Sequence, residues 1–140
     1  MAKKLALFFG IVFVLVGILG FIPNPLVGPT GIFDTDMMHN IVHVVFGLIL
    51  LAVAMWAPAK SALWMIILGI VYIVLAIIGL LMVPNGGQLL GLVATNMADH
   101  WLHAVLGIVL IIAGFMTKGK GMAPVPASGG SMPPPAAPMA

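Results

Sequence analysis

Two stretches of the chain, MMHNIVHVVFG at residues 37–47 and MADHWLHAVLG at residues 97–107, place polar residues at the head of a long apolar run. All four histidines of the protein lie in these two stretches. An apolar run of about 20 residues is long enough to cross the hydrocarbon core of a membrane as a helix. The two stretches therefore predict two membrane-spanning helices, each of which carries histidines in its first turns.

The composition supports a membrane protein, because 63% of the residues are hydrophobic and only 6% are charged. A soluble domain typically has about 25% charged residues. Cysteine is absent, which excludes disulfides, thiolate metal sites and a cysteine nucleophile. Arginine is absent as well, so the sequence offers no bidentate phosphate contacts and we expect no nucleic-acid partner.

The whole chain contains four such apolar runs. They occupy residues 5–22, 37–57, 62–83 and 98–116. None shows the alternation of barrel strands, and only helices and closed barrels satisfy their backbone groups in lipid. We predict an all-α bundle of four transmembrane helices over residues 1–117, followed by a Pro/Gly/Ala/Met-rich tail over residues 118–140.

Charged residues are segregated between the predicted loops. Lysines lie before the first run, between the second and third, and after the fourth, at positions Lys3, Lys4, Lys60, Lys118 and Lys120. The three acids, Asp34, Asp36 and Asp99, lie on the opposite side of a four-span bundle. The positive-inside rule then predicts a multi-pass protein of the cytoplasmic (inner) membrane with both termini cytoplasmic.

The two halves of the chain resemble each other, which indicates an internal duplication. His43 corresponds to His103 and Gly47 to Gly107, each pair 60 residues apart. The repeats would cover about residues 5–57 and 62–116. Because each repeat has two spans, both have the same orientation, and a pseudo-twofold axis along the membrane normal is expected.

Polar residues recur at helical spacing at the head of runs two and four. The corresponding sets are Asp36, His39, Asn40, His43 and Gly47, and Asn96, Asp99, His100, His103 and Gly107. Each set occupies one helical face, which should point into the bundle because lipid is a poor environment for these groups. The glycines at 47 and 107 permit close helix packing or leave room for a ligand.

Three uses of these faces remain open. In a polar lock, Asp36 and Asn96 cap the helices, Asp99 acts from the third helical position, and histidines bond to Asp and Asn of the other repeat. In a tetrapyrrole site, His43 and His103 ligate a haem, or single histidines ligate chlorophyll-type pigments. In a metal site, the pairs His39–His43 and His100–His103 bind zinc or copper together with the two acids.

The tail suggests the leading functional hypothesis. Its sequence MPPPAAPM has the composition of an extended polyproline segment that docks on another protein. The docking residues would be Met132, Pro133, Pro134, Pro135 and Met139. We predict a non-catalytic accessory subunit, without a required cofactor, that packs against a larger membrane complex through a cytoplasmic contact. Electron transfer or light harvesting with a tetrapyrrole, and metal binding, are the alternatives.

The pattern of these motifs resembles a family of small bacterial four-helix membrane proteins of unknown function. The resemblance rests on the two polar faces, on the paired His-x-x-x-Gly motifs, and on Gly69 and Tyr72 of the third run. It covers about residues 5–116 and leaves the tail outside. It supports a four-helix fold and the importance of the polar faces, but it implies no activity.

The predicted topology can be tested with single cysteines, since the natural chain has none. Cysteines introduced at Thr30 and at Lys60 should react with a membrane-impermeant thiol reagent from opposite sides of the membrane. Labelling of both positions from the same side would contradict the four-span topology.

Overall fold

The computed structural model describes residues 1–119, which fold into four long helices and one short β-hairpin. The elements are α1 (Ala2–Leu19), α2 (Met37–Trp56), α3 (Ser61–Met82), β1 (Gly87–Leu89), β2 (Val93–Thr95) and α4 (Met97–Thr117). A 3₁₀ turn, Pro58–Lys60, joins α2 to α3. All four helices are long and apolar enough to cross a membrane, which confirms the predicted fold class.

The helices pack mainly as two pairs of chain neighbours, α1 with α2 and α3 with α4. Each pair meets at glycines. A Cβ on Gly47 would lie 2.7 Å from the carbonyl oxygen of Gly10, and a Cβ on Gly107 would lie 2.7 Å from that of Gly69. Glycine therefore sets the closest approach of the backbones in both pairs. The duplication and the parallel relation of the two pairs stay predictions.

The bundle interior is filled by large apolar and aromatic side chains from all four helices. Phe13, Leu50, Met65, Tyr72 and Leu110 are almost completely buried. On the outside, many large apolar side chains are about half exposed, among them Phe8, Leu15, Ile70, Val105 and Ile112. A soluble protein does not expose such a continuous apolar surface, whereas lipid tails would cover it.

The first helix begins and ends earlier than the apolar run from which it was predicted. It ends at Leu19, although the run continues to Ile22. The Asn24 side chain explains the difference, because its amide donates to the carbonyl oxygens of Leu19, Ile22 and Val27 at 3.0, 2.7 and 2.8 Å. The asparagine thus satisfies a free helix-end carbonyl and turns the chain back over the bundle.

The connection between α3 and α4 contains the β-hairpin, an element that the sequence analysis did not predict. Its strands pair antiparallel, with Gly87 opposite Thr95 and Leu89 opposite Val93. The tight turn uses left-handed backbone at Leu90 and Gly91, with φ of 54° and 70°. Leu89 is buried, so the hairpin lies over the histidine end of the bundle, which we define as the N-termini of α2 and α4.

The predicted partner-binding residues of the tail, Met132, Pro133, Pro134, Pro135 and Met139, lie outside the described residues. Docking of the tail and the accessory-subunit role that depends on it therefore stay predictions.

Glycine packing in the α3–α4 pair should be intolerant of a single added methyl group. Gly107→Ala places its Cβ 2.7 Å from the Gly69 oxygen and 2.8 Å from Ile73, so we expect a loss of about 1–3 kcal/mol of stability. Thermal unfolding followed by circular dichroism in detergent measures it. The control is Val105→Ile, which adds a methyl group on the lipid-facing side of the same helix. Equal melting temperatures for the two variants would contradict the packing argument.

Candidate metal-binding site

The N-termini of α2 and α4 are both capped by side chains, as predicted. The Asp36 carboxylate accepts the backbone N–H of His39 at 2.8 Å. The Asn96 side chain accepts the N–H of Asp99 at 3.0 Å, and the Asp99 carboxylate accepts the N–H of Asn96 at 2.9 Å. The second pair is a complete capping box. Helix N-termini have free N–H groups, which explains why these acids are bound there.

The same two carboxylates also join the two helix pairs. Asp36 accepts the backbone N–H of Ala94, in the hairpin before α4, at 3.0 Å. Asp99 accepts the backbone N–H of Asp34, in the loop before α2, at 3.0 Å. Each acid therefore caps its own helix and binds the loop that leads into the other one. We call this pair of contacts the reciprocal carboxylate bonds.

His39 is fixed by a backbone carbonyl of the hairpin. Its Nδ1 lies 2.7 Å from the carbonyl oxygen of Ala94, so Nδ1 carries the proton and donates it. The other nitrogen, Nε2, then keeps a free lone pair. Metal-binding histidines are commonly held in this way, with one ring N–H donated to a carbonyl group. The bond differs from the predicted polar lock, in which histidines bond to acids of the other repeat.

Three of the four histidines form one buried cluster, which we call the histidine cluster: His39 and His43 from α2 and His103 from α4. Their side chains are 3%, 6% and 5% exposed. One ring nitrogen from each lies within 4.8 Å of the corresponding nitrogens of the other two. The ring centroids of His39 and His43 are 5.0 Å apart, and those of His43 and His103 are 6.0 Å apart.

Aromatic side chains line the deep side of the histidine cluster. The Tyr72 ring lies 5.0 Å from His103 and 6.1 Å from His43, measured between centroids. Phe13 stacks on Tyr72 at 5.3 Å and meets His43 edge-on at 5.9 Å. The histidines are thus held between the helix caps above and an apolar aromatic layer below.

A small cavity of about 30 Å³ adjoins the histidine cluster. The three histidines line it together with Val42, Phe46, Tyr72, Leu75, Leu89, Val93 and Thr95. About 10–15 Å³ suffices for one water, so the cavity fits one or two waters or an ion. Among the described residues beside the rings there is no space for a flat macrocycle, and the arrangement favours a single ion over haem or chlorophyll.

The remaining residues of the two polar faces lie away from the histidine cluster. His100 packs against Gly79, and its Nε2 lies 3.0 Å from the carbonyl oxygen of Val83 at the end of α3. Asn40 packs in the same manner against Gly20 at the end of α1. The predicted His100–His103 metal pair is therefore not formed, because the two side chains face different neighbours. Neither acid belongs to the cluster.

Sequence reasoning missed the part of the site that comes from the hairpin. Thr95, Leu89 and Val93 line the cavity, and none of them was a candidate. A signal existed in the Leu-Gly turn at residues 90–91, which is flanked by apolar residues on both sides. Thr95 also stands directly before the Asn96 cap, as Thr35 stands before the Asp36 cap.

Fold and site together define a multi-pass membrane protein with a buried three-histidine cluster near one end of a four-helix bundle. The chain belongs to the family described as "Domain of unknown function (DUF4383)", which matches residues 3–116. No curated protein and no solved structure matches the chain. Membership of this family confirms the predicted resemblance to an uncharacterised family, and it assigns no activity.

The reciprocal carboxylate bonds should make stability depend on pH through Asp36. Partial burial raises the pKa of Asp36, but hydrogen bonds from the N–H groups of His39 and Ala94 and from the Gln88 side chain outweigh it and lower the pKa. A lowered folded pKa stabilises the protein above the unfolded value of about 3.9, and that stability is lost as pH falls through the folded value.

We therefore expect the melting temperature in detergent to fall as the pH is lowered from 6 to 3, and to fall less in Asp36→Asn. Asp34→Asn is the matched control, because Asp34 joins the network through its backbone N–H and not through its carboxylate. Identical pH profiles for wild type and Asp36→Asn would contradict the role given to the Asp36 carboxylate.

Proposed function

We propose that this protein binds a single transition-metal ion within the membrane through His39, His43 and His103. The observation that carries the proposal is the convergence of three buried ring nitrogens, from two helices, within 4.8 Å of one another. Two histidines on one helical face are common, but the third comes from a helix of the other pair. Its position depends on how the two helix pairs meet.

The ligand set selects the class of metal. Imidazole nitrogen suits zinc, copper and other late first-row ions, whereas magnesium and calcium need oxygen ligands. The histidine cluster contains no carboxylate and the chain contains no cysteine. We therefore propose zinc or copper as the ion. Three histidines are the protein ligands of several catalytic zinc sites.

Binding requires only a small contraction of the cluster. Nitrogens at about 2.0–2.1 Å from a tetrahedral ion lie about 3.3 Å from one another. The present separations, up to 4.8 Å, can close to that value through side-chain rotation. The hydrogen bond from His39 to Ala94 supports the proposal, because it leaves the opposite ring nitrogen free and fixes the ring.

The electrostatic surroundings also suit a cation. Asp36 and Asp99 precede the histidines by about one helical turn, so two carboxylates lie near the cluster without being ligands. A divalent ion in the apolar interior is costly unless opposite charge lies close to it. The accessory-subunit role predicted from the tail is compatible with metal binding, but no contact among the described residues bears on it.

Metal binding can be tested on tag-free protein purified in mild detergent, since a histidine tag would add competing ligands. Zinc or cobalt titration should give one tight site per chain. Loss of a hydrogen bond to a ligand typically reduces metal affinity about 10–100-fold, so loss of the ligand itself in His43→Ala or His103→Ala should exceed about 100-fold.

The matched control is His100→Gln, which removes the one histidine outside the cluster and should retain wild-type affinity. Circular dichroism establishes that each variant is folded. If folded wild-type protein binds neither zinc nor copper, or if His100→Gln weakens binding as much as His43→Ala, the proposed site is wrong.

A further inference from the structure

We infer that the metal site keeps a fourth coordination position for a small exchangeable anion, and that the Thr95 hydroxyl positions this ligand. The inference rests on the proposed metal-binding function and goes beyond it, because it assigns a ligand class and a residue that recognises it. The class is hydroxide or a similarly small monodentate anion.

The first argument is the number of protein ligands. Zinc and cobalt prefer four ligands in such sites, and three histidines leave one position open. The only cavity in contact with all three rings, in the part of the chain that the structure describes, measures about 30 Å³. That space exceeds what one water needs and excludes a larger organic molecule. The fourth position therefore suits a ligand of one to three atoms from outside the protein.

The second argument is the state of Thr95. Its side chain is completely buried and lines this cavity, but its hydroxyl has no hydrogen-bond partner among the described residues. An unpaired buried hydroxyl costs about 1–3 kcal/mol, and such groups are uncommon in native structures. A ligand bound to the metal would give the hydroxyl its missing partner. Leu89 and Val93, on the same hairpin, provide no polar atom that could do so.

The third argument is charge. Three neutral imidazoles leave the full charge of a divalent ion in an apolar site, whereas an anionic fourth ligand would lower the net charge of the centre by one unit. The nearby carboxylates are not free to serve as that ligand. Asp36 and Asp99 each accept at least two backbone N–H groups at the helix ends. A hydroxyl that donates a hydrogen bond is suited to an anion.

Thr35 provides a built-in comparison. It precedes the Asp36 cap as Thr95 precedes the Asn96 cap, is 3% exposed, and also has an unpaired hydroxyl. It does not line the cavity beside the histidine cluster. A general effect of removing a buried hydroxyl can therefore be separated from an effect on the ligand.

The experiment uses the full chain loaded with cobalt and azide as the probe anion. Four-coordinate cobalt gives visible absorption bands that change when its fourth ligand changes. We expect azide to shift these bands in the wild type. Thr95→Val should weaken azide binding about tenfold or more, as expected for loss of a hydrogen bond to a charged group, with little change in cobalt affinity.

Thr95→Ser keeps the hydroxyl and should restore azide affinity, and Thr35→Val should leave it at the wild-type value. If wild-type protein binds cobalt but azide leaves the spectrum unchanged, the open position does not exist, although the metal site survives. If Thr95→Val and Thr35→Val weaken azide binding equally, Thr95 has no positioning role. If cobalt does not bind at all, the proposed function fails together with this inference. Thr95→Ala replaces Thr95→Val if the latter does not fold.

Discussion

Two carboxylates hold the histidine end of this bundle together, and the candidate site depends on them. Asp36 and Asp99 each cap one helix and accept a backbone N–H from the loop that enters the other. Within each helix pair, glycine contacts fix the packing, but contacts between the pairs are much sparser. The reciprocal carboxylate bonds therefore align the first turns of α2 and α4, and this alignment brings His103 to His39 and His43.

The site combines well-satisfied polar groups with others that lack partners. The caps and the Ala94 contact of His39 are satisfied, whereas His43 Nδ1, His103 Nδ1 and the Thr95 hydroxyl are buried without a partner among the described residues. Those three residues line a single cavity of about 30 Å³. Unpaired buried polar groups destabilise a fold, and native proteins tolerate them mainly where function requires them. A bound ion with one external ligand would satisfy the whole group.

Sequence alone predicted the four spans, the helix caps and the inward-facing histidines, because hydropathy and helical spacing depend on local patterns. It could not tell which histidines meet. His100 and His103 have ideal spacing for one face, yet His100 packs against Gly79 and bonds to Val83. That choice depends on how α3 ends. The hairpin with Thr95 was missed for the same reason, since its short strands gain stability from packing against the bundle and from little else.

X-ray absorption at the metal edge of zinc-loaded, tag-free protein tests the central claim most directly. We predict three imidazole ligands with nitrogen at about 2.0–2.1 Å and one lighter-atom ligand at a similar distance. The imidazole count should fall in His103→Ala, because that ligand comes from α4 while the other two come from α2. A zinc environment made mainly of oxygen, or an imidazole count that does not change in folded His103→Ala, would contradict a metal site built between the two helix pairs.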